Sequence, residues 1–367
     1  MHLSSLKLCN YRNFRSVALN PNPGVNLLIG KNAQGKTNLV EAVNLLSCGR
    51  SFRTSRAREL VCWGEKQGSV VAEVVLNSGQ ANFTFIIAEK SKQTFINGAQ
   101  VKSLSDFVGR LLSVSFSPTD LWLIKGAPEM RRRFLDRHAS DLDPAFIGHL
   151  MTYHRALHNK AKLLRSPSVN ENGIRPWNHI LAKAAVQVAK MRIHFLSDLQ
   201  DKVNLIYPQF AATEGRVKVE LKTNFFKAPQ EVSEAYAEEV LEKNIRRELS
   251  AQACLLGPHR DDIEISIGGR NSRSFASQGQ SRSLVLALKL GVISLIEELR
   301  GERPIVLLDD VYSELDKERE AALHKLVLSQ NRQVFVTGTD AMLKTRDLSK
   351  AHQIWQIENG EITELLE

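Results

Sequence analysis

The chain has 367 residues, 43% of them apolar and 24% charged, which suggests about two domains with room for a buried core and argues against long disordered stretches. Its 49 Lys+Arg against 40 Asp+Glu give a net charge of +9, an excess compatible with a polyanionic partner such as DNA or RNA and equally with none. Four cysteines (Cys9, Cys48, Cys62 and Cys254) form no CxxC pair, which excludes a zinc ribbon or hook and fits a reducing cytosol.

At the N-terminus, Met1-His2-Leu3-Ser4-Ser5 opens no apolar run, so no secretory signal is expected. The first hundred residues read as strands around one early helix. Val25–Ile29 is a short apolar strand that leads directly into Gly30-Lys31-Asn32-Ala33-Gln34-Gly35-Lys36-Thr37, a match to GxxxxGK[ST]. In this pattern glycines let the backbone wrap a phosphate chain, and the loop amides with the helix N-terminus supply positive potential. Lys36 is expected at the β/γ-phosphates of ATP and the Thr37 hydroxyl on Mg²⁺. The following helix should run from about Gly35 to Leu46, with Leu39, Val40, Val43 and Leu46 at helical spacing. Ser69–Asn77, Asn82–Glu89 and Gln93–Ile96 then read as an antiparallel meander with a hairpin turn at Asn97-Gly98.

From about Pro118 to Cys254 the sequence is mostly helical. Leu181, Ala185, Val188, Phe195, Leu199, Val203 and Ile206 recur at spacings of three, four and seven, the pattern of a helix–helix seam within one chain. Ser166–Pro176, with two prolines and several asparagines, reads as a loop between two long helices. Basic residues cluster at Arg50, Arg53, Arg56 and Arg58, at Arg131–Arg133, and at Lys160, Lys162, Lys183, Lys190 and Lys202. Most such charges are solvated faces, and about a third would be expected to touch a phosphate backbone. No zinc finger, RNA-binding sheet motif or recognition helix points to sequence-specific readout.

Strands return after about Cys254. Asp262–Ile267 and Arg273–Phe275 read as strands bracketing a turn at Gly268-Gly269. Ser277-Gln278-Gly279-Gln280 then opens a long apolar helix; its longest apolar run, Leu284–Ile296, is broken by Lys289 and Ser294 and falls short of a membrane span. This is where ABC ATPases carry a signature that aims a Ser hydroxyl, a Gly amide and a helix N-terminus at a γ-phosphate. Ser277, Gly279 and Gln280 are therefore candidate nucleotide contacts, although Ser277 or Ser281 would equally serve as a helix cap. Ile305–Leu308 followed by Asp309-Asp310 has the form of a Walker B strand. Asp309 is the candidate Mg²⁺ ligand, through water, and Asp310 the candidate catalytic acid beside Lys36, placed to polarise an attacking water. Ser313-Glu314-Leu315-Asp316 has the form of a D-loop, and Thr339, within Thr337-Gly338-Thr339-Asp340, marks the position where transporter-type ATPases keep a switch His. His352–Glu367 closes as a hairpin turning at Asn359-Gly360.

The fold class expected is α/β: an ABC-type P-loop ATPase head in two sequence halves, 1–117 and 254–367, with an inserted, mostly helical arm at 118–253. A signature that cannot reach its own P-loop implies closure in trans, as a homodimer around two nucleotides.

Nearly the whole chain resembles the RecF family, bacterial recombination mediators among the SMC-like ABC ATPases. The resemblance rests on Asn10–Phe14, Gly49–Arg53, Lys125–Pro128, Arg131–Asp136, Gly257–Asp262, Phe275–Arg282 and Leu307–Asp316 beside the P-loop. It implies a cytoplasmic, ATP-dependent homodimer that binds double-stranded, gapped or single-stranded DNA and works with RecR and RecO to help load RecA. It also implies weak, DNA-stimulated ATP hydrolysis used as a switch, in fork repair and the SOS response. Two departures bear on this. Asp310 stands where the ABC class usually has Glu, and its shorter side chain makes for slow hydrolysis; no Gln lies near Ser117–Asp120, where a Q-loop is sought. A transporter's ATP-binding subunit would need the switch His, and a small-molecule kinase would leave Ser277–Gln280 and Ser313–Asp316 unexplained.

Overall fold

The computed structural model describes residues 1–365 apart from 55, 90, 212–214, 228–231, 329 and 340–351. In chain order its strands are β1 (His2–Tyr11), β2 (Phe14–Leu19), β3 (Val25–Ile29), β4 (Gln67–Leu76), β5 (Gly79–Ala88), β6 (Lys92–Ile96), β7 (Ala99–Val101) and β8 (Ser113–Phe116). They continue with β9 (Val217–Lys222), β10 (Asp262–Ile267), β11 (Arg270–Asn271), β12 (Ile305–Leu308), β13 (Val334–Thr337), β14 (Gln353–Glu358) and β15 (Glu361–Leu365). The α-helices are α1 (Lys36–Cys48), α2 (Leu104–Phe107), α3 (Trp122–Lys125), α4 (Pro128–Leu142), α5 (Ala145–Leu164), α6 (Glu171–Ile206), α7 (Glu234–Ala251), α8 (Ser272–Phe275), α9 (Gln278–Arg300) and α10 (Lys317–Leu323).

Contacts divide the chain into two compact units: Met1–Asp120 with Ile206–Ala212 and Ser283–Glu367, and Leu121–Leu205 with Thr213–Arg282. The sequence division returns to the head after residue 253, whereas by contacts the chain stays in the second unit through Arg282.

The first unit holds two sheets. One is antiparallel, in the order β2-β1-β4-β5-β6-β7; the other runs β15-β14-β3-β13-β12-β8. In the second sheet β14, β3, β13, β12 and β8 are parallel, and β15 closes the edge antiparallel to β14. The alternation of buried and exposed residues along β4 and β5 marks a sheet with one face on the core, while β3, β12 and β13 are buried at every position. Helix α1 contributes Leu39, Val40, Ala42, Val43, Leu45 and Leu46 to one core with residues of both sheets, each Leu or Val burial stabilising by roughly 1.5–3 kcal/mol. The hairpin turns expected at Asn97-Gly98 and Asn359-Gly360 are present, all four residues at positive φ. Residues 366–367 of the C-terminal hairpin reading, and Asp340, lie outside the described residues.

In the second unit the seam along α6 is as read: Leu181, Ala185, Val188, Phe195, Leu199 and Val203 are all buried. Two local readings are corrected. The loop assigned to Ser166–Pro176 ends at Asn170, and Pro176 lies inside α6. Ile174 is fully buried against Leu164, Ile245 and Cys254, so core burial draws the segment into the helix and outweighs the one backbone bond the proline forgoes. Arg273–Phe275 is helical as α8, not a strand. Asn271 caps its start by accepting from the Arg273 amide, and Lys125 Nζ donates to the carbonyls of Ser272, Arg273 and Ala276 at 3.2, 3.2 and 2.6 Å. With both ends of the turn satisfied, β-propensity loses. Among the described residues no helix is long and apolar enough to cross a membrane.

Two of the clustered basic residues, Arg131 and Lys160, are internal struts rather than solvated charges, and so is Arg192, which lies outside those clusters. Arg131 is buried and grips Asp262 through Nε and Nη2 at 2.6 and 2.9 Å. Lys160 and Glu248 form a fully buried pair. Arg192 holds both Asp136 oxygens and Asp261 at 2.9 Å, and donates to the Pro258 carbonyl at 2.7 Å. Nearby, His259 Nδ1 lies 2.6 Å from the Tyr153 hydroxyl and its Nε2 3.3 Å from the Cys254 carbonyl oxygen. Burial, reinforced by Arg260, His154 and Arg132, holds the His259 pKa down at about 4. This ring is neutral in the fold and takes up a proton on unfolding at any pH between about 4 and its ordinary 6.5. Its contribution to stability is therefore full above pH 6.5 and should be lost as pH falls through that window, by about 3 kcal/mol for the whole shift. Melting temperature against pH checks this: a His259→Gln protein, with no group to titrate there, should lack that part of the slope.

Candidate nucleotide-binding site

The P-loop and the Walker B strand are not neighbours in the second sheet of the first unit; β13 lies between β3 and β12. Parallel registers align Leu308 with Val336 and Thr337 with Leu28, so the two motifs end level, about two strand spacings or roughly 10 Å apart. Two hydroxyls close that gap. Thr37 Oγ1 donates to Asp309 Oδ1 at 2.9 Å, and Thr337 Oγ1 donates to the same oxygen at 3.0 Å. Thr337 also accepts from the Asp310 amide at 2.9 Å, so one side chain fixes both acids. The Asp309 carboxylate is buried, and desolvation raises its pKa although both hydroxyl bonds pull the other way. Such a carboxylate is undersolvated and suited to a cation. Asp310 is exposed and sits at φ 52°, a left-handed conformation that short polar side chains tolerate. Ser313 Oγ donates to the Asp310 carbonyl at 2.8 Å, which ties the D-loop segment to Walker B.

The loop from Gly30 to Gly35 is held from behind. Gly30 has φ 144°, and a Cβ there would stand 2.3 Å from the Ile357 carbonyl oxygen; Gly35 has φ 122°, and a Cβ would meet the Asn13 amide group at 2.7 Å. Neither position admits a side chain. Asn13 Nδ2 donates to the Gln34 carbonyl at 2.7 Å, Asn38 Nδ2 donates to Asn13 Oδ1 at 2.8 Å, and Arg53 reaches Asn38 Oδ1 at 2.7 Å. On the other side the Asn359 amide donates to Gln34 Oε1 at 2.6 Å. Lys36 Nζ is drawn over the loop by the carbonyls of Gly30 and Lys31. Lys31 and Asn32 are exposed, and Ala33 adopts φ 66°. The first turn of α1 has neither a side-chain cap nor an acidic residue, which leaves its amides aimed at an anion. Beneath it the buried Glu41 accepts from Arg12 Nε and Nη2 at 2.8 and 2.7 Å and from Ser51 Oγ.

Ser277, Gly279 and Gln280 belong to the second unit. The Ser277 hydroxyl accepts from the Gln280 amide at 3.1 Å while Gln280 Oε1 accepts from the Ser277 amide at 2.7 Å, a reciprocal capping box. The cap reading is therefore met, but a hydroxyl that accepts here keeps its proton to donate elsewhere, and Ser277 is exposed. Thr339 is exposed two residues beyond the end of β13. Near the expected Q-loop, Asp120 accepts from the Ser117 amide at 2.6 Å and pairs with Lys289.

Three residues went unread as site residues. Thr337 showed only as the first residue of the segment around Thr339, Asn359 only as a turn residue, and Asn13 only within a stretch of family resemblance. A buried strand that ends on a hydroxyl beside Walker B is the available signal; the two asparagines act through long-range pairing and leave none.

Known proteins match this architecture along its length. The family described as RecF/RecN/SMC N terminal domain matches residues 2–363. The DNA replication and repair protein RecF of Staphylococcus carnosus is 34% identical over 99% of this chain and 100% of its own. RecF of Lactobacillus delbrueckii subsp. bulgaricus is 35% identical over 99% of this chain and 97% of its own. Among solved structures, the recombination mediator protein RecF with ATP in the RecFOR pathway superposes with a TM-score of 0.91 at 31% identity, covering 100% of this chain and 98% of that one. The Smc head domain of Pyrococcus furiosus shares the fold at a TM-score of 0.58 and 14% identity, covering 99% of this chain and 96% of that one.

Proposed function

The chain belongs to the RecF family of DNA replication and repair proteins, and we propose that it is an ATP-switched, DNA-binding recombination mediator. ATP closes two copies around two nucleotides, with Ser277–Gln280 of each copy facing the γ-phosphate held by the other. The closed pair holds DNA, duplex or gapped, and slow hydrolysis releases it. RecR and RecO are the partners this reading assigns, with RecA loading and the SOS response downstream and the cytoplasm as the place of work.

The observation that carries the reading is the 2.9 Å bond from the P-loop hydroxyl of Thr37 to the Walker B carboxylate of Asp309. A Gly-shaped cradle, an ammonium above it and a hydroxyl–carboxylate pair beside it suit a nucleotide triphosphate. Mg²⁺ fits the same pair. Among the described residues no group of three or more His, Cys, Asp or Glu could hold a metal, so the ion would rest mainly on phosphate and water oxygens beside Thr37 and Asp309. When bound it would neutralise phosphate charge. Lys36 binds and orients the phosphate chain, while Asp310, anchored through its amide on Thr337, holds its carboxylate ready for the proton of a water.

Light-scattering mass with and without ATP, repeated with DNA, tests the switch; a protein that stays monomeric at saturating ATP would falsify it. An Asp310→Asn protein should still bind ATP but turn over roughly a hundredfold more slowly, and its ATP dimer should live longer. Single-turnover phosphate release reads the first effect and the decay of the dimer reads the second; unaltered turnover would assign the catalytic role elsewhere.

A further inference from the structure

Among the described residues of the first unit Trp63 is the most exposed large apolar one, 94% accessible, yet its neighbours in sequence are buried: Leu60 at 1%, Val61 at 5% and Cys62 at 9%. The turn that displays it is rigid. Val61 bridges to Tyr11, the Cys62 amide donates to the Asn10 carbonyl at 2.9 Å, and the Glu65 amide closes the turn on the Cys62 carbonyl at 3.1 Å. Gly64, at φ 85°, supplies the left-handed third position that such a turn needs. Arg58 Nη1 donates to the Glu65 carbonyl at 2.6 Å and pins the far side. The indole is thus held outward by backbone on both flanks.

The segment that carries it is cationic in sequence. Between Arg50 and Gln67 stand Arg50, Arg53, Arg56, Arg58 and Lys66 against Glu59 and Glu65, and all five cations are exposed. Lys92 joins them at the same end of the antiparallel sheet, since Gly68 pairs with Ile87 and Ile87 with Lys92.

We propose that Trp63 is a stacking platform for an unpaired base, and that with these cations it makes this end of the sheet a binding surface for single-stranded DNA. The inference rests on the DNA-binding reading above and adds the residue and the place in the fold that would hold an unpaired base. Phosphates alone call for cations and have no use for an exposed indole, which leaves on the order of 150–250 Å² of ring surface in water. Along its length a duplex offers no open base face, and inserting a ring into one requires unstacking. A single strand presents both a phosphate chain and open faces, the pairing that cationic grooves with aromatic residues recognise. The surface is also joined to the nucleotide loop. The Arg12 amide donates to the Leu60 carbonyl at 2.9 Å, and the next residue, Asn13, clamps Gln34.

Fluorescence anisotropy with labelled oligothymidine and with a blunt duplex, at fixed salt and saturating ATP, tests the proposal on the full chain. Trp63→Ala should weaken oligothymidine binding about tenfold, leave duplex binding within about twofold, and leave the salt slope for oligothymidine unchanged because no phosphate contact is lost. Trp63→Phe should keep most of the affinity, and neither change should move the melting temperature of so exposed a residue. Equal weakening on both substrates would overturn the proposal, because the ring would then be supporting the basic segment. Unchanged oligothymidine binding would overturn it too and would turn attention to a protein partner at this turn. If the parent protein bound neither DNA, the underlying DNA reading would fail as well, and that result is distinguishable from the other two.

Discussion

A Lys36→Ala protein is expected to fold like its parent and to lose ATP affinity by roughly a hundredfold or more. Lys36 donates to the carbonyls of Gly30 and Lys31, within the loop it belongs to, and α1 is anchored by six aliphatic residues that the change leaves untouched. The loop backbone is shaped independently by Asn13, Asn359 and the two glycines. What disappears is the positive charge beside the phosphate chain. Losing one partner of a desolvated charge pair costs about 2–5 kcal/mol, so the effect should appear in equilibrium binding as well as in turnover. Isothermal titration with a non-hydrolysable ATP analogue, beside the circular dichroism of the same sample, separates affinity from folding. Parent-like affinity in a folded Lys36→Ala protein would sink the nucleotide site.

The elements of the candidate site were legible in the sequence because each is local. A buried strand, a glycine-bounded loop and a helix lie within Val25–Cys48, and the candidate acids Asp309 and Asp310 stand directly at the end of an apolar strand. Turns at Asn97-Gly98 and Asn359-Gly360 were legible for the same reason, since positive φ at both central residues restricts what can stand there. What could not be read depends on partners far along the chain. Arg131 and Lys160 look like surface cations until Asp262 and Glu248 arrive against them. Residues 273–275 look extended until Lys125 closes the carbonyl end of their turn. Thr337 is one more hydroxyl until strand order places it between two motifs. Periodicity reports which face is buried; it does not report which charge meets which.

The last expectation concerns Ser277, where two roles share one oxygen. In the structure its hydroxyl caps α9 by accepting from the Gln280 amide, and on the functional reading the same hydroxyl donates to the γ-phosphate of a second copy. Replacement by Arg removes both roles and so cannot distinguish them; loss of the cap alone costs about 0.5–2 kcal/mol. Replacement by Asp separates them, because aspartate caps a helix as well as serine does while setting a negative charge against a phosphate. Ser277→Arg should lower the melting temperature slightly and Ser277→Asp should not. Both should bind ATP like the parent, since Lys36, Thr37 and Asp309 lie in the other unit and are unaltered. Both should fail to dimerise at saturating ATP and should lose any DNA-stimulated hydrolysis, because each nucleotide would lack its second half-site. Light-scattering mass is the direct reading. A Ser277→Asp protein that dimerises like its parent would leave Ser277 as a helix cap and nothing more, and the trans geometry would have to rest on other residues.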